Sequence, residues 1–179
     1  YIPTSGSTVQ RAAETANGAG NSEVFNDSEG VLFANIAALA NGGDFRAISL
    51  SNNTNSNVVG LLYRSQANEI WMQVRGGGVE TNIKIYDVDH LENNKIAIKY
   101  KENDFALWVN GLEKGTNNSG STPTALNTLK FQRGDGNENF YGKTKEISYY
   151  DEILTDEELE KLTSYRSLNE LVTELNLNT

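Results

Sequence analysis

The sequence predicts an all-β protein: two antiparallel sheets packed as a jelly-roll sandwich, closed by short helices at the C-terminal end. Three observations carry this. Apolar and polar residues alternate in short segments from Gly30 to Asp151. Clusters of Gly, Asn and Asp interrupt the alternation at intervals of about ten residues, the spacing of a sandwich and not of a parallel sheet with crossover helices. Beyond Asp151 the apolar period changes from two residues to about 3.6, the helical value.

Residues 1–23 are polar and read as a linker or N-terminal strand from a preceding domain, with one short strand in "STVQRAA" and a loop at 17–21. A chain that opens on Tyr1, without a signal-peptide pattern, is expected to be a piece or processed product of a longer one. The sandwich is expected over 24–164. "GVLFANIAAL" reads as a buried strand, with Leu32, Ala34 and Ile36 on one side and Val31, Phe33 and Asn35 on the other. "FRAISLSN" turns Ile48 and Leu50 inward. After the turn cluster 52–57, "VVGLLYRS", "EIWMQVRG" and "VETNIKIYDV" read as strands divided by "QAN" and "GGG". "KIAIKYK" and "FALWVNGLEKG" follow, divided by "END", and the latter carries an Asn-Gly turn. A long polar loop leads to "LKFQRGDGN" and "FYGKTKEISYYD", also read as strands. In "LTDEELEKLTSY", Thr155 and Glu158 have capping-box spacing, and Leu154 and Leu159 that of a hydrophobic staple. Residues 165–179 repeat the device as an amphipathic helix. Ser167 and Glu170 form the box, and Leu168, Leu171, Val172 and Leu175 form a stripe that needs a surface to cover.

Composition bounds the function. The 179 residues suit one domain of ordinary size. Fifteen basic against 24 acidic side chains give a net charge of −9, which disfavours nucleic acid and anionic membranes as partners. No run of about 18 apolar residues is present, so no membrane insertion is expected. Cysteine is absent, which removes disulfide and thiolate chemistry. A zinc site would rest on carboxylates and the single His90.

The stretch "KIAIKYKENDFALWVNGLEKG", followed by "LKFQRGDG" and "FYGKTKEISYYDEILTDEELEKL", resembles the concanavalin A-like, laminin-G-like jelly-roll family. The likeness covers about 24–164 and rests on Val109-Asn110-Gly111, Gly142 to Tyr149, and Leu154 to Leu159. These residues build hairpins and caps, so the resemblance implies the fold and leaves the ligand open. "YIPTSGSTVQRAAETA" and "LTSYRSLNELVTELNL" resemble segments of bacteriophage structural and tail proteins, which implies a virion setting. No calcium-ligand set of the kind some laminin-G-like domains use is evident.

Alternation also supplies candidate binding residues. Trp71, Gln73 and Arg75 share the face opposite the apolar Ile70, Met72 and Val74. Lys99 and Trp108 fall on the polar side of their strands. Both tryptophans are thus expected on the outward face with Gln73, Arg75 and Lys99. An aromatic ring among amide and guanidinium groups suits a sugar, whose C–H groups stack while its hydroxyls are hydrogen-bonded.

Asp135, Asn137 and Glu138 are weak calcium candidates in an acidic loop whose spacing does not match an EF-hand. The same loop holds the integrin-like tripeptide Arg133-Gly134-Asp135, a match that chance explains. "YDVDH" groups Asp87, Asp89 and His90, without a nucleophile motif beside them. Glycosidases of the concanavalin A-like fold carry a Glu-x-Asp-x-x-Glu strand motif. "ENDF" and "DEEL" lie at a turn and in a helical cap, so no enzyme and no cofactor is expected.

The expected function is a non-catalytic, lectin-like domain of a phage structural or tail protein. It would contact cell-surface polysaccharide, beside other virion proteins, on a virion or outside cells. The alternatives are a carbohydrate-binding module of a secreted polysaccharide-degrading enzyme, and a structural decoration domain that oligomerises through 167–177.

Overall fold

The computed structural model describes residues 19–165. Ten strands and one helix follow in chain order: β1 (Glu29–Ala38), β2 (Arg46–Ser51), β3 (Val58–Tyr63), β4 (Ile70–Gly76), β5 (Val79–Ile85), β6 (Asn94–Lys101), β7 (Asp104–Val109), β8 (Leu112–Asn117), β9 (Thr128–Lys130), β10 (Gly142–Tyr150) and α1 (Asp156–Thr163). The first sheet has the order β10-β1-β6-β7-β8 and the second β5-β4-β3-β2-β9. Every pairing between neighbouring strands is antiparallel. The protein is a two-sheet jelly-roll sandwich, as the alternation predicts.

The core lies between the sheets. Leu32, Ala34, Ile36, Ile96, Ile98, Tyr100, Phe105, Leu107 and Val109 from the first sheet meet Ile48, Leu50, Val59, Leu61, Tyr63, Ile70, Met72 and Val74 from the second. Each large side chain buried there contributes about 1.5–3 kcal/mol of transfer free energy. The β7–β8 hairpin turns on Asn110 (φ 52°) and Gly111 (φ 83°), the paired positive angles of a type I′ turn. Asn110 also fastens the turn to β6: its Oδ1 accepts from Lys95 N at 2.9 Å.

A second apolar cluster sits outside the first sheet. Val31, Phe33, Ala97, Ala106 and Trp108 meet Leu159 of α1, with Leu154 and Leu162 packed alongside. The helix begins as its residues dictate. Thr155 Oγ1 accepts from Glu158 N, and Glu158 Oε2 accepts from Thr155 N at 2.8 Å. Its far end is pinned to the sheet: Gly111 N donates to Thr163 Oγ1 at 3.1 Å, and Lys95 Nζ to Ser164 O at 3.0 Å.

One segment departs from expectation. "LKFQRGDGN" is a strand only to Lys130, after which 131–140 run as a loop over the outer side of β2. Positive φ at Gly136 and Glu138 breaks the extended path. Ser49 Oγ donates to Gln132 O at 2.7 Å, and Ala47 N to Glu138 O at 2.8 Å. The strand expected in 1–23 and the helix over 167–177 lie outside the described residues. Among the described residues no helix is long and apolar enough to cross a membrane.

Candidate functional site on the outer face of the second sheet

Trp71, Gln73 and Arg75 stand on the outward side of β4. Register places Lys84, Asn82 and Glu80 of β5 opposite them in that order, with Leu62, Gly60 and Val58 on the β3 side. Gly60 leaves the floor beside Gln73 without a side chain. The Trp71 indole is half-buried and held at its edge, where Nε1 donates to Glu69 Oε1 at 2.6 Å. Two cations lie against the ring, from the strands on either side. The Arg64 guanidinium is 4.1 Å and the Lys84 ammonium 3.8 Å from a ring centroid. Arg64 also lies 4.1 Å over Phe45, which fixes it between two aromatics.

Glu80 organises the other end of the row. Its carboxylate accepts from the side-chain amides of Gln73 and Asn82 and from the Arg75 guanidinium. Arg75 Nη1 also donates to Asn55 O at 3.3 Å. Burial pushes the Glu80 carboxyl upward, but the hydrogen bonds from Asn82, Gln73 and Arg75 outweigh it and hold the group below the ordinary carboxylate range. Gln73 is only 4% exposed, and its Oε1 finds no partner among the described residues; the same holds for Asn82 Oδ1 and Arg75 Nε.

The loop 131–140 walls the face beyond β2. Arg133 pairs with Asp135 at 2.6 Å and with Glu138 at 2.5 Å, while Arg64 reaches Glu138 at 3.6 Å. The guanidinium of Arg133 holds the Asp135 carboxyl down at about 2. Two guanidinium groups therefore occupy the carboxylates of the weak calcium set, where a metal ion would need them free. Among the described residues no group of three His, Cys, Asp or Glu is placed to hold a metal. The tripeptide Arg133-Gly134-Asp135 closes on itself through the same ion pair.

The structure divides the five residues expected on one face. Trp71, Gln73 and Arg75 come together on the second sheet. Lys99 and Trp108 stand on the outer face of the first sheet, on the opposite side of the sandwich. Trp108 is 7% exposed beneath α1, and Lys99 is paired with Asp104 at 2.8 Å. Alternation separates inside from outside, but it does not assign a strand to a sheet. "YDVDH" is dispersed likewise. Asp87 pairs with Lys114, Asp89 caps Leu91 N, and His90 is fully buried, stacked 4.4 Å from Tyr63.

Sequence reasoning missed Arg64, Glu80, Asn82 and Lys84. The signal was present: "VETNIKI" alternates Glu80, Asn82 and Lys84 against Ile83 and Ile85, and Arg64 continues the outward series of Gly60 and Leu62.

No family model matches the sequence, and no curated protein matches it. Solved structures do match in fold. The CBM40 of the Ruminococcus gnavus IT-sialidase, bound to α2,3-sialyllactose, aligns with TM-score 0.65 at 17% identity over 78% of this chain and 84% of that one. The leech intramolecular trans-sialidase, complexed with 2,7-anhydro-Neu5Ac, gives 0.67 at 17% identity; 87% of this chain spans only 26% of that enzyme. A SAP-like pentraxin from Limulus polyphemus gives 0.61 at 16% identity over 78% of this chain and 71% of that one. At these identities the likeness establishes the sandwich fold and not a shared site.

Proposed function

We propose that this chain is a non-catalytic glycan-binding module whose binding face is the outer side of the second sheet. The observation that carries the reading is Trp71, outward and half-buried, in a row with amide and guanidinium groups on rigid neighbouring strands. A pyranose would take the place of Lys84 on the indole. That cation is exposed, and such a contact is worth only about 0.5–1 kcal/mol at an exposed site. Arg64, fixed by Phe45 and Glu138, would stay as the backing of the ring. The CBM40 structures bound to sialyllactose support a glycan ligand for a sandwich of this shape.

The same neighbours favour a module carried by a larger, secreted carbohydrate-active protein. The phage tail setting, with virion partners, rests on the sequence resemblance alone, and oligomer contacts through 167–177 rest on the apolar stripe of that segment. Either setting places the face outside cells, where polysaccharides are met.

Trp71→Ala tests the reading. The variant is expected to stay folded and to lose glycan affinity at least about thirtyfold, since a hot-spot aromatic carries about 2 kcal/mol or more. Titration calorimetry against a panel of bacterial-surface and plant-type oligosaccharides measures it. Binding that survives the substitution, or no binding by the parent chain to any glycan, overturns the proposal.

A further inference from the structure

The charged groups of the outer face define a ligand class. Each guanidinium on it is already matched to a carboxylate: Arg75 to Glu80, Arg64 to Glu138, and Arg133 to Asp135 and Glu138. To pair with a guanidinium, an anionic sugar would have to displace a resident carboxylate, and it would approach a chain of net charge −9. The exposed Lys84 ammonium lies against the indole, where the sugar ring itself would displace it. The groups without partners are of another kind. Glu80 takes the amide nitrogens of both Gln73 and Asn82, so the two carbonyl oxygens turn away from it and stay vacant as acceptors. Gln73 and Asn82 are directly opposed in register, which puts the two acceptors on adjacent strands. The unpartnered Arg75 Nε adds a donor two residues along β4.

Resting on the glycan-binding reading above, we infer that the ligand is an uncharged, hydroxyl-rich glycan, and that Glu80 is the positioning residue that sets this preference. Sugar hydroxyls donate to the two carbonyls, and one accepts from Arg75 Nε–H. Carboxylates have no proton to give these acceptors. The oxygens are shielded from bulk water, so an unmet acceptor is costly and a hydroxyl that reaches it is held tightly. The half-buried side chains of Trp71 and Arg75 flank Gln73 along β4 and must shift to admit the sugar.

The test compares two ligand sets on the whole chain: neutral cello-, xylo-, manno- and malto-oligosaccharides, against 3′- and 6′-sialyllactose and oligogalacturonate. The neutral set is expected to supply the ligand, with affinity changing less than about twofold between low and high salt, since no ion pair forms. Glu80→Gln is expected to weaken that ligand about tenfold, the scale of one lost charge-assisted hydrogen-bond arrangement. The same variant frees Arg75 and should improve binding of the anionic set, a change of rank that a purely structural role would not produce. Thermal melting checks that the variant is folded; should it unfold, the parent chain's preference still decides. Selective binding of the anionic set by the parent overturns this inference and leaves the glycan module standing. Binding of neither set overturns both.

Discussion

The two tryptophans occupy formally equivalent positions, each outward on an inner strand of its sheet, yet their surroundings differ in kind. Trp108 looks out from β7 onto Val31, Phe33, Ala97, Ala106 and Leu159, and α1 closes over it. Trp71 looks out from β4 onto Arg64 and Lys84, with Glu69 at its edge and no helix above it among the described residues. One ring is the seat of a helix and the other is propped by charges. The difference teaches that an outward aromatic is defined by what lies over it. The neighbours of Trp108 in that cluster are small or apolar and invite a lid; those of Trp71 are long and charged, with the cationic heads of Arg64 and Lys84 set over the ring itself.

The largest expected effect would break this comparison if it failed. Trp108→Ala should destabilise the fold by about 3–5 kcal/mol, the range for a large aromatic removed from a packed site. Trp71→Ala should cost no more than about 1 kcal/mol, since its contacts are half-exposed cation–π pairs. Urea unfolding of both variants measures the gap, and equal losses would mean the two faces are packed alike. Leu159→Ala follows at about 2–5 kcal/mol, because its side chain is wholly buried against the Trp108 cluster. Thr155→Ala removes the cap and should cost about 1 kcal/mol.

How much of this was legible in the sequence can be argued from the same residues. Period-two alternation identified the inward side of β2, β4, β6 and β7 and divided β1 into its two faces without saying which is inward, because burial of one sheet face is what alternation records and both faces of β1 are apolar. The capping box of α1 was legible because it is local, made by Thr155 and Glu158 within one turn. The partition of strands between sheets is not local. Trp71 and Trp108 looked cofacial because each was outward, and only the pairing of β7 with β6 and of β4 with β3 separates them. The path of 131–140 escaped for a similar reason. Its apolar ends, Phe131 and Phe140, both pack at the core, and the positive φ angles between them carry the chain across β2.

A pH titration sharpens the comparison, once a background common to both faces is accounted for. Burial holds the His90 imidazole below its ordinary value of 6.5, although its Nε2 hydrogen bond to Glu69 O acts the other way. The unfolded chain therefore takes up the proton first. Full stability is expected above 6.5, with loss as the pH falls through the lower folded value. Urea midpoints at neutral and mildly acidic pH should show the decline. His90→Phe, which keeps a ring against Tyr63 but cannot titrate, should flatten it.

The smallest expected effect concerns the carboxylates of the second sheet. The lowered Glu80 and Asp135 groups add stability that is complete above their ordinary values of 4.5 and 3.8. It is lost as the pH falls through the folded values, which for Asp135 is about 2. Ion pairs this open to water are worth about 0–1 kcal/mol, so the loss is slight in global terms. It should nevertheless be confined to one face. In the His90→Phe background, single-tryptophan chains made by Trp108→Phe or Trp71→Phe report each side separately. The Trp71 emission should shift below pH 4.5 as Glu80 gains its proton and releases Gln73, Asn82 and Arg75. The Trp108 emission should hold until the whole sandwich unfolds, because the ring is almost wholly buried and packed against Val31, Phe33 and Leu159. Coincident shifts in the two chains would show that acid acts on the fold as one unit, and that the charged face has no separate response of its own.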